Sequence, residues 1–134
     1  MDETTSIGKP VRINGVLMCE AYFESLAASD PPALHALLEH PEMPPHLLTY
    51  AAEIAGQDCP AAVPVLLRLL KYPAAVVREG VLAGLFDHAQ NPEVVAALEA
   101  MYPGESSDAV SASINVLLSR AQEIQRQILP PCCR

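Results

Sequence analysis

The sequence predicts an all-α fold, and three observations carry that expectation. Hydrophobic residues make up 51 % of the 134 residues, yet aromatics supply only 4 % and Trp is absent. A core built from Ala, Leu and Val suits closely packed helices better than a β-sandwich of aromatic and β-branched pairs. From Asp30 onward each apolar segment is short and has a proline at or near its start, where a missing N–H costs a helix nothing. Apolar residues also recur along helical stripes, whereas the alternating runs that mark strands do not.

Residues 1 to 18 read as an arm, because Gly8, Pro10 and Gly15 interrupt any helix. Asn14-Gly15 is a hairpin-turn signal, but an isolated two-stranded hairpin is marginal, so an ordered arm is expected instead. A first short helix follows at about 19 to 28, carrying Tyr22, Phe23 and Leu26. Further helices are expected at about 31 to 40, 44 to 56, 60 to 71, 74 to 89, 92 to 102 and 107 to 128. Their N-cap regions are Asp30 before Pro31-Pro32, Asp58 near Pro60, Asn91 before Pro92, and Ser107 before Asp108. Most of these helices are too short to stand alone in water, so packing must hold them. The chain thus divides into an arm (1–18), a helical domain (19–128) and a tail (129–134).

The helices repeat. Leu37-Leu38-Glu39-His40-Pro41 recurs as Leu69-Leu70-Lys71-Tyr72-Pro73, and more weakly again as Glu99-Ala100-Met101-Tyr102-Pro103, at a nearly constant spacing. The stripe Val77, Val81, Leu85 maps at an offset of 33 onto Val110, Ile114, Leu118, and all six are expected in the core. Three helix-turn-helix units follow, at 31 to 56, 60 to 89 and 92 to 128, each with a proline in its turn.

The stretch from Val63 to Leu85 resembles a HEAT repeat: an apolar first helix, a proline-bearing turn at Pro73, then Val77-Arg78 followed by small and Leu positions in the second helix. Tyr72 stands where the family has a turn Asp, and Pro45 and Ser111 stand in the flanking units where Arg would be. The resemblance implies a short right-handed α-solenoid of about three HEAT-like helix pairs, preceded by the arm and a capping helix. Short arrays of this kind are also similar to bilin-lyase-type repeats of bacteria, but no chromophore-binding signature accompanies them here.

Charge bounds the function. The formal net charge is −8, which disfavours nucleic acid and anionic membrane, because binding to phosphates rests on Lys and Arg releasing counterions. Glu20, Glu24, Asp30, Glu39, Glu42, Glu53 and Asp58 run through residues 20 to 58 without one Lys or Arg, a surface suited to solubility or to steering a basic partner. No secretory signal and no apolar run of roughly 18 residues is found, so a cytoplasmic protein with reduced thiols is expected.

No catalytic or cofactor constellation emerges, and a non-enzymatic protein is expected. His35, His40 and His46 cluster with Glu39 and Glu42, but no paired-His spacing is present and Pro44-Pro45 breaks the helix between them. Cys19 and Cys59 read as small apolar fillers, and adjacent Cys132-Cys133 as a chain end, since neighbouring cysteines form strained bridges. Neither a phosphate loop nor a nucleophile motif is found.

What remains is a protein-protein interaction module, a small acidic adaptor or regulator, with an immunity-type neutraliser of a basic toxin or nuclease as the alternative. The HEAT resemblance implies docking on the second helices. With Val77, Val81 and Leu85 facing the core, Glu79, Leu82 and Phe86 should turn away from it. At the same repeat offset these become His46, Thr49 and Glu53 in the preceding unit, and Ala112, Asn115 and Ser119 in the following one.

Overall fold

The computed structural model describes residues 11–57 and 59–128. The first ten residues of the arm, the cap at Asp58, and the tail with Cys132 and Cys133 lie outside the described residues. Apart from one small hairpin the described chain is helical, as the composition and stripes predict. No described helix is long and apolar enough to cross a membrane.

The hairpin corrects the reading of the arm. Strands β1 (Arg12–Ile13) and β2 (Val16–Leu17) pair antiparallel across Asn14-Gly15, whose φ angles of 54° and 81° make the tight turn that favours Asn-Gly. Ile13 and Met18 are buried in the main core, and that packing supplies the stability an isolated hairpin lacks.

Seven α-helices follow among the described residues. Helix α1 (Glu20–Ser29) ends where the Asp30 N–H donates to the Leu26 carbonyl, and the Asp30 carbonyl then accepts from Ala33 and Leu34 to open α2 (Pro31–Leu38). The Asp30 side chain makes no capping bond, so its backbone performs the junction. Helix α3 is Pro45–Gly56. The helix expected over 60 to 71 is a 3-10 turn, Pro60–Ala62, running into α4 (Val63–Leu69). Helix α5 (Ala75–Leu85) tightens into a 3-10 turn at Phe86–His88, and α6 (Pro92–Met101) into another at Tyr102–Gly104. Two expected caps are made: Asn91 Oδ1 accepts from the Glu93 N–H at 2.8 Å, and Ser107 Oγ from the Val110 N–H at 3.3 Å at the start of α7 (Asp108–Ile128).

Consecutive helices pack as pairs, α2 on α3, α4 on α5 and α6 on α7. The second member of each pair lies beside the next, so α1, α3, α5 and α7 form a row, while α4 touches α6. The largest fully buried side chains include Phe23, Leu34, Leu48, Leu66, Val77, Val81, Leu85, Val94 and Ile114, which link hairpin, row and first helices in one core.

Two burial expectations are corrected. Leu82, expected to face away from the core, is 2 % exposed. Leu118, expected inside, is half-buried, and Leu117 takes its place beside Val110 and Ile114. Leu118 turns toward an open groove between α6 and α7, whereas the burial of Leu82 follows from how closely the row packs. A Cβ on Gly80 would lie 2.2 Å from Thr49 Oγ1, and one on Gly84 would lie 2.5 Å from the Ala52 carbonyl oxygen. The glycines let α3 and α5 come almost backbone to backbone, covering that flank of α5, and α7 covers the opposite flank where Leu82 sits.

Polar contacts tie the close-packed elements together. Thr49 Oγ1 donates to the Val76 carbonyl at 2.9 Å, and the buried His88 donates from Nε2 to the Gly56 carbonyl at 2.7 Å. The Arg78 guanidinium donates to the Tyr72 and Pro73 carbonyls of its own turn and grips both Glu105 carboxylate oxygens at 3.0 and 2.7 Å. Glu39, just beyond α2, accepts from Arg68 of α4 at 2.6 Å.

Candidate functional site: the outer face of the second helices

The row leaves one long side of α3, α5 and α7 in solvent, and the residue spacing places a single stripe on each helix. On α3 it is His46, Tyr50 and Glu53; on α5, Val76, Glu79, Ala83 and Phe86; on α7, Ala112, Val116 and Ser119. Among the described residues, four of the seven exposed large hydrophobics belong to these stripes: Tyr50 (47 %), Val76 (48 %), Phe86 (39 %) and Val116 (57 %). Exposed apolar residues concentrated on one side of a small acidic chain are the feature that singles this face out.

Between α5 and α7 the face sinks into a groove of about 240 Å³. Glu79, Ala83 and Phe86 form one wall and Ala112, Ser113 and Val116 the other, while the buried Leu82 and Leu117 form its floor. At one end the Arg120 guanidinium lies 4.4 Å from the centre of the Phe86 ring, a cation–π contact that holds the exposed ring in place. Glu79 is at the other end, about two helical turns away along α5.

Each residue singled out from the sequence has a definite place. His46, Glu53, Glu79 and Phe86 lie on the outward stripes. Thr49 is half-buried and engaged with Val76, so it belongs to the α3–α5 contact. Leu82 is groove floor. Asn115 is exposed but turned to the far flank of α7, where its side-chain amide donates to the Tyr102 hydroxyl at 3.2 Å. One repeat offset from Ala83 reaches Tyr50 in one direction and Val116 in the other. The middle position of each exposed stripe is therefore one residue later than the sequence reading puts it.

Sequence reasoning misses Tyr50, Val76, Ala83, Val116 and Arg120. The signal that would find them is Gly80-x-x-x-Gly84, two glycines on one helix face that must lie against a neighbouring backbone and so fix which side of α5 is left outside.

Among the described residues, His35, His40 and Cys59 make their contacts away from this face. His35 Nε2 lies 3.9 Å from Cys59 Sγ, and burial holds the His35 imidazole below its usual pKa. His40 Nδ1 accepts from the Glu42 N–H at 3.1 Å. Among the described residues no three His, Cys, Asp or Glu side chains are placed to share a metal ion. No family model, curated protein or solved structure matches the chain.

Proposed function

We propose that this protein is a cytoplasmic, non-enzymatic protein-binding module: a short HEAT-like α-solenoid that docks a basic partner protein on the outer face of α3, α5 and α7. The observation that carries this reading is the α5–α7 groove, where Phe86, Ala83 and Val116 present apolar surface to solvent over a floor of Leu82 and Leu117. Repeating helix pairs that expose the second helices are built to offer such a face. Charge supports a basic occupant, because Glu53 and Glu79 border the apolar residues and residues 20 to 58 contain no Lys or Arg.

The roles divide by chemistry. Phe86 acts as the desolvated anchor, and the carboxylates act mainly on the approach of the partner. The test begins with capture of partners from the native source, after which the captured protein is purified and its binding kinetics are measured. Phe86→Ala should speed dissociation with little effect on association. Glu53→Lys should slow association, more at low salt than at high. If both variants bind like wild type, the docking surface lies elsewhere and this reading fails.

A further inference from the structure

The exposed stripe of α5 has the spacing of a helix seam and opposite charges at its two ends. Val76, Glu79, Ala83 and Phe86 follow one another at steps of three, four and three, the spacing with which one helix meets another along its length. Glu79 sits at one end of the α5–α7 groove, and the Arg120 guanidinium lies over the Phe86 ring at the other. Among the described residues neither Glu79 nor Arg120 belongs to an ion pair, whereas Arg68, Arg78 and Arg126 each have a carboxylate partner.

Two other apolar grooves lack this arrangement. Glu99 is the one charged residue lining the groove between α6 and α7, and Lys71 the one lining the groove between α4 and α6. Neither sets charges of both signs at opposite ends. On α5, moreover, the exposed and small Ala83 stands midway between Glu79 and Phe86, where a second helix can cross close to the first.

We propose that two copies of this chain pair reversibly through this seam, α5 antiparallel to α5, about a two-fold axis that crosses the groove at Ala83. Reversing the direction of the groove brings Glu79 of each copy to Arg120 of the other, so one charge contact is made twice and association stops at two. The α5 stripe with the flanking stripes of α3 and α7 covers roughly 450 Å² by helix dimensions, about half of the roughly 800 Å² per partner of a standard interface. Each copy also carries a net charge of −8, which repels the other. The dimer therefore belongs to the weak, concentration-dependent class. The pairing does not rest on the docking of another protein: such a partner would compete with the second copy for the face, and a chain that never pairs leaves the docking reading as it stands.

Sedimentation of the full chain from micromolar to millimolar concentration tests it, with a monomer–dimer equilibrium and no larger species as the expected result. Glu79→Arg and Arg120→Glu each set like charges against one another at both contacts and should raise the dissociation constant about tenfold or more. Glu79→Arg also makes the chain less acidic, so weakening by this variant has to be local. An equimolar mixture of the two variants, and the doubly substituted chain, should each restore pairing, because every contact again joins opposite charges. Ala83→Lys sets two like charges at the axis and should disperse the dimer. All three positions are exposed, and unchanged circular dichroism and melting would show that each variant folds. A chain that stays monomeric throughout, or continues past the dimer, would overturn the proposal. So would a dimer indifferent to both charge reversals, or one that neither combination restores.

Discussion

Gly84 has no Cβ because none fits. Alanine there would gain about 1 kcal/mol of helix propensity, but its methyl would press within 2.5 Å of a backbone oxygen that cannot swing aside. Overpacking of this kind costs about 1–3 kcal/mol or more, so Gly84→Ala should lower the urea-unfolding midpoint markedly. At Gly104 an added Cβ meets nothing within 4 Å, and Gly104→Ala should stay within about 0.5 kcal/mol of wild type in the same assay. Leu82 and Phe86 make a second contrast. Leu82→Ala removes a buried side chain from the groove floor and should cost about 2–5 kcal/mol. Phe86 is 39 % exposed and gives up a partly covered ring together with its contact with Arg120, the latter worth about 0.5–1 kcal/mol at an exposed site, so its loss should cost less than that of Leu82. Unfolding measurements that rank Phe86→Ala as the more damaging of the two would place the ring inside and the leucine outside.

At the scale of elements, the Arg78–Glu105 pair clamps the turn before α5 to the segment that leads into α7. Their side chains are 13 % and 4 % exposed, which sets them apart from the solvated Arg68–Glu39 pair. The Arg78 guanidinium, helped by the Ser107 and Ser106 backbone N–H groups, holds the Glu105 carboxyl below its ordinary pKa. A carboxylate lowered in the fold contributes stability that is present above the unfolded pKa and is lost as pH falls through the folded one. Glu105→Gln should therefore cost roughly 1.5–3 kcal/mol at neutral pH. The gap from wild type should narrow as the pH drops below the ordinary glutamate range, where the wild-type carboxyl also becomes neutral. Urea melts at neutral and acidic pH read this directly, and a gap constant with pH would assign the clamp no electrostatic part.

Much of this level is legible in the sequence. Prolines mark helix starts because Pro31, Pro45 and Pro92 fix φ and lose no bond in a first turn, and Asn91 and Ser107 cap as their side chains allow. The repeat register places Val77, Val81, Leu85, Val110 and Ile114 in the core, where the structure has them. The hairpin escapes sequence reasoning because its stability comes from Ile13 and Met18 packing at a distance, which no local rule contains. The phase error at Leu82 has the same origin. Periodicity says which residues share a stripe, but the width of the covered side depends on how close the next helix comes, and that is set by Gly80 and Gly84. His88 escapes notice because its partner, the Gly56 carbonyl, is remote in the chain and a main-chain acceptor leaves no mark on the sequence.

For the whole molecule, burial and charge divide the surface into regions with different uses. The outer face of α3, α5 and α7 combines exposed apolar residues with the carboxylates of Glu53 and Glu79, whereas the groove between α6 and α7 sets Val95, Ala96, Leu118 and Ala121 among Gln90, Gln122, Gln125 and Glu99. On the side of the first helices, another apolar groove runs between α4 and α6, lined by Leu67, Leu70, Ala97 and Met101. The proposed partner docks on the first of these. Methyl chemical-shift mapping of the partner complex decides it most directly, since each groove carries its own methyl groups. Docking on the outer face should shift the Ala83, Ala112 and Val116 methyls on binding while those of Leu67, Ala97 and Met101 stay in place; shifts confined to the latter set would place the partner on the first helices instead.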